Sequence, residues 1–244
     1  MKFPILLPNI FNHPFTYESN LNLKVGDYVI VPFGRSKITG VVWDEFEKKN
    51  NKNYKIKSII KKLKVTPLKR TTIKFLNWFA QYNIIPKGMA LKLVLLSSNA
   101  IEKYQKEVFK DFNIKIGTNT ITLSEEQKRS LKIMNFSNDK FRVHVLQGTT
   151  GSGKTIVYFS ALKEIMKKGF QGLILLPEIG LTSQFEKKFL EFFGITPAVW
   201  HSGISKKKKE VIWSGVANGE IKVVIGARSS LFLPFKNLGL IIVD

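Results

Sequence analysis

The chain has 244 residues, of which 44% are hydrophobic, so it can bury a sizeable core and is not a disordered tail. It contains no cysteine, which excludes a disulfide scaffold, a cysteine zinc site, an iron–sulfur cluster and a cysteine nucleophile within these residues. Lys and Arg outnumber Asp and Glu by 39 to 18, giving a formal net charge of +21. This excess is typical of proteins that bind a polyanion such as nucleic acid.

The charge has a second interpretation, because 34 of the basic residues are Lys and only 5 are Arg. An AT-rich genome encodes many Lys residues in proteins of any function, so the Lys excess has an explanation other than nucleic-acid binding. No apolar run reaches the ~18–20 residues that cross a bilayer, and Pro4 and Pro8 interrupt the apolar start of the chain, which makes it a poor signal peptide. We therefore expect a cytoplasmic protein with no membrane partner.

Residues 1–100 have the pattern of a mostly-β domain. Short apolar runs bounded by turn residues predict strands over 25–34, 37–43 and 54–63, the first two forming a hairpin. Near-helical apolar spacing predicts a helix over 71–82, capped by Thr71 or Thr72. The expected fold is a small β-barrel or sandwich with a helix attached. We expect core positions for Trp43, Trp78 and Trp213.

The chain changes pattern after residue 100. Residues 101–121 are polar and weakly patterned, which predicts a linker. From residue 122, helices alternate with strands, which is typical of a parallel sheet covered by helices on both faces. The predicted strands span 141–146, 173–176, 198–200, 222–225 and 240–243, and the predicted helices begin at 124, 154, 181 and 205. Ser124 and Gln127 predict a capping box.

A phosphate-binding motif follows the predicted strand 141–146. Its residues are Gly148, Thr149, Thr150, Gly151, Ser152, Gly153, Lys154 and Thr155. They match the P-loop pattern G-x-x-x-x-G-K-[ST], for which this composition predicts about 0.02 chance matches. Glycines let backbone N–H groups converge on a phosphate, and the following helix points its positive dipole end at the same anion. We expect Lys154 to contact the β- and γ-phosphates of ATP, and Thr155 to bind Mg²⁺.

Further segments resemble the first motor domain of superfamily 2 helicases, and most closely that of the primosomal protein N′ (PriA) family. They are Leu123 to Gln127, the P-loop continued through Tyr158, Leu175 to Gln184 (LLPEIGLTSQ), Trp200 to Gly203 (WHSG), Ile225 to Phe235 (IGARSSLFLPF) and Leu240 to Asp244. The resemblance implies a RecA-like motor domain over 122–244 that is incomplete at its C-terminus. It also implies that Gln127 recognises adenine and that Asp244 is the first acid of motif II, a second Mg²⁺ ligand.

The resemblance also names residues for contact with single-stranded DNA in the motor domain. These are Thr182, Gln184, Arg228 and Ser229. Thr182 and Gln184 lie at a predicted helix N-terminus, which favours phosphate. Arg228 lies in a turn after a predicted core strand, where a backbone contact gives affinity without sequence specificity. A purely structural turn is the alternative.

Residues 1–100 resemble the 3′-DNA-end-binding domain of the same family. The matching residues are Phe15, Thr16, Tyr17, Gly34 and Lys57. Thr16 stands where the family usually has Asp, and a hydroxyl accepts a hydrogen bond from a 3′ hydroxyl less strongly than a carboxylate does. The linker 101–121 is too short for the winged-helix domain that the family usually has at this place.

By this resemblance the chain is the front part of an ATP-dependent 3′-to-5′ helicase that binds forked, single-stranded or 3′-ended DNA. The expected partners are single-strand-binding protein and other primosome proteins, and zinc is expected only beyond residue 244. We expect the catalytic residues Lys154, Thr155 and Asp244 not to hydrolyse ATP in this chain alone, because the family's water-positioning Glu and arginine finger follow residue 244. Two alternatives stay open. The first is a scaffold protein that binds DNA ends and ATP without catalysis. The second is an unrelated P-loop enzyme, which the IGARSSLFLPF and LLPEIGLTSQ strings disfavour.

Overall fold

The computed structural model describes residues 1–46, 55–95, 101, 122–134, 141–177 and 180–244. The chain forms two compact units. The first unit combines Met1–Val108 with two later segments, Ile204–Asn218 and Phe232–Lys236. The second unit contains the remaining residues, Phe109–Gly203, Gly219–Leu231 and Asn237–Asp244. The predicted linker 101–121 lies, apart from Ile101, outside the described residues.

Six strands form the sheet of the first unit. They are β1 (Lys2–Leu6), β2 (Phe15–Glu18), β3 (Tyr28–Phe33), β4 (Ser36–Val42), β5 (Lys57–Ser58) and β6 (Lys61–Lys62). Their order is β5-β2-β1-β4-β3-β6. Because β5 and β6 follow each other in one short segment but lie at opposite ends of this order, that segment joins the two edges of the sheet. The N–H groups of Ile59 and Ile60 donate to Glu18 and Ile30 across this closure. The sheet therefore closes as a small barrel, one of the two predicted architectures.

The hairpin prediction is confirmed by the antiparallel pairing of β3 with β4, which runs from Tyr28 opposite Val41 to Phe33 opposite Ser36. Their inward side chains, together with those of β1, form the barrel core. The predicted third strand, 54–63, is wrong as a continuous element. The chain changes neighbours at Ile59 and Ile60, and this change of partner divides it into β5 and β6.

Helices α1 (Arg70–Tyr82) and α2 (Lys87–Val94) complete the N-terminal part of the first unit. Helix α1 buries Ile73, Leu76 and Ala80, as an amphipathic helix should. The predicted Thr cap is wrong, because the helix begins earlier, at Arg70, with Lys69 as an N-cap that makes no side-chain hydrogen bond. Trp78 is 55% exposed and stacks on Phe75 and Tyr82, so its predicted core position is also wrong.

The second unit is built on a parallel four-stranded sheet of order β10-β7-β9-β8. Its strands are β7 (Gln171–Leu175), β8 (Ala198–Trp200), β9 (Val223–Gly226) and β10 (Leu238–Val243). The intervening helices are α3 (Glu125–Met134), α4 (Lys154–Lys167) and α5 (Ser183–Phe193), while α6 (Lys206–Asn218) belongs to the first unit. A core rich in Phe lies between α4, α5 and the sheet, with Phe159, Phe189 and Phe193 almost fully buried. The predicted α/β class is confirmed.

The predicted strand 141–146 is wrong in this structure. The segment has no regular secondary structure, and Phe141, Val143 and Val145 are 92%, 75% and 90% exposed. A strand exists only where a neighbour accepts its backbone hydrogen bonds. None of β7, β8, β9 or β10 pairs with this segment, so its alternating apolar side chains stay on the surface.

No helix in the described part of the chain has the length and apolarity needed to span a bilayer.

Candidate nucleotide site and DNA-facing residues

The P-loop is a turn that depends on two glycines in the left-handed region. Gly151 has φ of +84° and Gly153 has φ of +81°, backbone angles that most L-residues avoid. Gly153 is also the N-cap of α4, so the loop leads directly into the helix N-terminus. The N-terminal amides of α4 therefore belong to the loop that would hold a phosphate.

Lys154 lies folded over this loop. Its ammonium group donates to the carbonyl oxygens of Gly148 at 2.7 Å and Thr149 at 2.8 Å. These bonds keep the charge above the loop, where the β- and γ-phosphates of a nucleotide would approach. Thr155 follows in the first turn of α4. Lys154 and Thr155, the two predicted side-chain ligands of the P-loop, thus both lie at the N-terminus of α4.

Gln127 joins α3 to the P-loop. The predicted capping box is confirmed: Gln127 Oε1 accepts from the Ser124 N–H at 3.0 Å, and Ser124 Oγ accepts from the Gln127 N–H at 3.3 Å. The amide of the same side chain donates to the carbonyl oxygen of Ser152 at 3.2 Å. A Cβ on Gly153 would lie 2.4 Å from Gln127 Nε2, so this contact requires glycine at 153. The contact with Ser152 was not part of the sequence prediction, because capping boxes are local signals and this bond spans 25 residues.

Asp244 follows β10 and is held by two hydrogen bonds. Its N–H donates to the carbonyl oxygen of Leu175 at 3.1 Å, which continues the pairing of β10 with β7. Its carboxylate Oδ2 accepts from the Tyr158 hydroxyl at 2.6 Å. Burial, and then the hydrogen bond to Asp244, raise the pKa of Tyr158 well above that of a free phenol. Sequence analysis placed Tyr158 only inside a motif, although its position one turn after Thr155 on the same helix was a usable signal.

The oxygen donors at this site suit Mg²⁺. Thr155 supplies a hydroxyl and Asp244 a carboxylate, both hard ligands of the kind that Mg²⁺ takes. Within the described part of the chain, no group of three or more His, Cys, Asp and Glu residues could hold a metal by itself. Mg²⁺ fits this donor set because it usually takes one or two protein ligands together with nucleotide phosphates and water.

In the first unit, two of the predicted DNA-end residues meet where β2 and β5 pair. Tyr17 lies opposite the exposed Lys57, and its buried hydroxyl donates to the carbonyl oxygen of Pro32 at 3.0 Å. Burial raises the pKa of Tyr17. Gly34 follows two residues after Pro32, in the β3–β4 turn, with φ of +59°. The structure thus places Tyr17, Lys57 and Gly34 in one region of the barrel.

Phe15 and Thr16 lie on opposite faces of β2, because side chains alternate along a strand. The ring of Phe15 contacts Phe33 and Phe11 edge to face, with centroids 5.3 and 5.1 Å apart. Phe15 and Tyr17 share one face, and Thr16 is on the other.

In the second unit, the predicted DNA-contact residues follow the carboxyl ends of two adjacent strands. Thr182 is the N-cap of α5, and its side chain accepts from the Phe185 N–H at 3.2 Å, while Gln184 is exposed in the first turn. Glu178 and Ile179 of the LLPEIGLTSQ string lie outside the described residues. This segment follows β7, the neighbour of β9.

Arg228 begins a short 3₁₀ helix (Arg228–Phe232) directly after β9, and its side chain is exposed. Ser229 Oγ accepts from the indole N–H of Trp200 at 3.2 Å. A Cβ on Gly226 would lie 2.8 Å from both the Trp200 carbonyl oxygen and Ser230 Cβ. The Gly-Ala-Arg-Ser-Ser string is therefore a tightly packed turn that leaves Arg228 exposed. The predicted contact of Arg228 with DNA stays a prediction.

Two protein-family profiles match this chain, one over its N-terminal part and one over its C-terminal part. The profile of the PriA 3′ DNA-binding domain (3′BD) matches residues 4–96, and the DEAD/DEAH box helicase profile matches residues 124–244. The replication restart protein PriA of Rickettsia conorii is 38% identical over 246 residues, covering 98% of this chain. The chain matches the N-terminal part of PriA.

Other PriA proteins support the same alignment. Replication restart protein PriA of Rickettsia felis is 39% identical over 98% of this chain, and that of Bacillus subtilis is 37% identical over 59% of it. This chain spans 36% of the length of each of the two Rickettsia proteins. It therefore corresponds to the PriA 3′BD followed by helicase-domain sequence, in the order that the sequence motifs indicate.

Proposed function

We propose that this chain is the front part of an ATP-dependent 3′-to-5′ DNA helicase that recognises stalled or forked DNA and restarts replication through primosome assembly. The observation that carries the proposal is the bond between Tyr158 and Asp244. It joins the P-loop helix to the acid at the end of β10, two sequence motifs that are 86 residues apart. This bond supports a nucleotide site formed within the second unit.

Each residue of the nucleotide site has a distinct task in this proposal. The loop amides and Lys154 bind the phosphates, and Gln127 recognises adenine by exchanging one of its present hydrogen bonds for the base. Thr155 and Asp244 hold Mg²⁺, which when bound neutralises the charge that develops on the transferred phosphoryl group. These assignments rest on the loop geometry and on the oxygen donors.

DNA binding is assigned to both units separately. In the first unit, exposed Lys57 offers a phosphate contact, and the partly buried ring of Phe15 offers a face on which a terminal base can stack. In the second unit, exposed Arg228 and the N-terminus of α5 offer contacts to the sugar–phosphate backbone. The net charge of +21 supports a polyanionic partner. Single-strand-binding protein, other primosome proteins and a cytoplasmic location complete the proposal.

The decisive experiment is ATP turnover by the full-length protein with and without single-stranded DNA. Strong stimulation by DNA, abolished by Lys154→Ala, is expected for a translocase. Nucleotide and DNA binding without any turnover would instead support the scaffold alternative. Binding of ATP without any binding of DNA would contradict both.

The same variant tests the nucleotide site in the 244-residue chain. Lys154→Ala removes the point charge that faces the phosphates, and we expect ATP affinity to fall by about tenfold or more. The fold should persist, because the ammonium bonds only to loop carbonyls. Equilibrium dialysis with ATP measures the change, and Lys163→Ala on the same helix is the control.

A further inference from the structure

The nucleotide site contains a tyrosine hydroxyl whose role no motif assigns. Tyr158 is only 6% exposed, yet its hydroxyl reaches the carboxylate of the exposed residue Asp244 at 2.6 Å. The ring packs in the apolar core, edge to face on Phe159 with centroids 5.3 Å apart. A phenylalanine would fill that space equally well. The hydroxyl is therefore the part of this side chain that packing does not explain.

This bond connects the two parts of the proposed nucleotide site. Tyr158 lies one turn after Thr155 on α4, and Asp244 follows β10. The hydroxyl gives its one hydrogen to Asp244 Oδ2, and the bond spans 86 residues of sequence. We call this contact the Tyr–Asp bond.

We propose that Tyr158 is a positioning residue for Asp244, one of the two magnesium ligands proposed for this site. The inference rests on the proposed function, because it presupposes a Mg–nucleotide complex held by Thr155 and Asp244. The phenol occupies one carboxylate oxygen of Asp244 and so sets the direction in which the other oxygen points.

The Tyr–Asp bond needs no rearrangement when a cation arrives. A carboxylate has two oxygens, so Asp244 can ligate a cation through one of them while the other accepts from the phenol. Hydrogen bonds that orient metal ligands in this way contribute substantially to metal affinity, and their loss typically costs 10–100-fold. Tyr158 therefore acts on Mg²⁺ through Asp244 without touching it.

Nucleotide affinity with and without Mg²⁺ tests this role in the 244-residue chain. The probe is N-methylanthraniloyl-ATP, titrated in Mg²⁺ and in EDTA. For Tyr158→Phe we expect the affinity in EDTA to stay unchanged and the tightening by Mg²⁺ to shrink about tenfold. A Mg²⁺ effect as large as in the wild type would overturn the inference. Phe fills the same core space, so the variant should fold, and a thermal melt checks this.

A double-mutant cycle separates positioning from packing. In an Asp244→Ala background we expect Tyr158→Phe to cause no further loss, because the acceptor of the phenol is already removed. Additive losses would show that Tyr158 acts independently of Asp244, and would overturn the inference. Tyr28→Phe is the matched control, since it removes the hydroxyl of another buried tyrosine, in the first unit.

Failure of the proposed function gives a different result. If the wild type does not bind the analogue, or if Lys154→Ala binds it equally well, the nucleotide site itself is wrong. The inference about Tyr158 fails alone when nucleotide binding depends on Lys154 and on Mg²⁺ but not on the Tyr158 hydroxyl.

Discussion

The indole N–H of Trp213 donates a 2.8 Å hydrogen bond to the carbonyl oxygen of Val94, 119 residues earlier in the chain. The Trp213 ring is fully buried and meets Tyr28 edge to face, with centroids 6.0 Å apart. Helix α6, which separates β8 from β9 in sequence, is therefore anchored in the first unit. The N-terminal unit uses a side chain that sequence order assigns to the helicase domain.

Trp213→Ala should destabilise the first unit by about 3–5 kcal/mol, because it removes a large buried aromatic side chain and leaves a cavity. Trp213→Phe keeps an aromatic ring but removes the hydrogen bond to the buried Val94 carbonyl. The loss of this bond alone should lower the free energy of unfolding by about 1–3 kcal/mol. Urea unfolding, with amide hydrogen exchange in β3 and α2, measures the effect. Equal stability of wild type and Trp213→Ala would contradict the anchoring role.

Gln127→Ala should weaken ATP binding and reduce the preference for ATP over GTP. The substitution removes the bond to Ser152 and the amide that we assign to adenine. Competition between the two nucleotides, measured by fluorescence titration, gives both quantities. Loss of affinity with an unchanged ATP preference would mean that Gln127 only supports the P-loop. Ser124→Ala is the control, since it breaks the capping box and leaves the carboxamide in place.

Lys57→Glu should weaken binding to a recessed or forked 3′ end more than binding to an internal duplex. Loss of one phosphate contact should also lower the log–log salt slope by about 0.7–0.9. Fluorescence anisotropy with the three DNA substrates at several salt concentrations measures both effects. Lys61→Glu, an exposed position in the same segment, should affect all substrates alike. An equal loss on all substrates with Lys57→Glu would reduce Lys57 to a general phosphate contact.

The 244-residue chain alone should not turn over ATP at a useful rate. Phosphoryl transfer also needs a residue that positions water and a cation such as an arginine finger, and we assign neither role within these 244 residues; an arginine finger alone is worth roughly 10³–10⁵ in rate. Steady-state phosphate release with single-stranded DNA and Mg²⁺ tests this. Turnover of ~1 s⁻¹, within the ordinary range of enzymes, would show that the chain already contains a complete catalytic site.

Local patterns in the sequence determined the P-loop and its ligands, the hairpin of β3 and β4, and the capping box at Ser124. Each of these depends on residues a few positions apart: glycines with positive φ before a helix, two alternating runs with a short turn, or a Ser three residues before a Gln. Their geometry follows from backbone sterics and nearby hydrogen bonds, so a sequence motif is enough to predict them.

Tertiary structure alone decided the closure of the barrel at Ile59 and Ile60, the burial of Trp213 within the first unit, and the bond between Tyr158 and Asp244. It also left the segment 141–146 unpaired despite its strand-like pattern. These features depend on which distant backbone or side chain completes a hydrogen bond or fills a space. Hydrophobic periodicity shows that a residue prefers burial or strand pairing. The partner is set by the packing of the whole chain, because a strand or a buried hydroxyl is stable only where its hydrogen-bonding groups are satisfied.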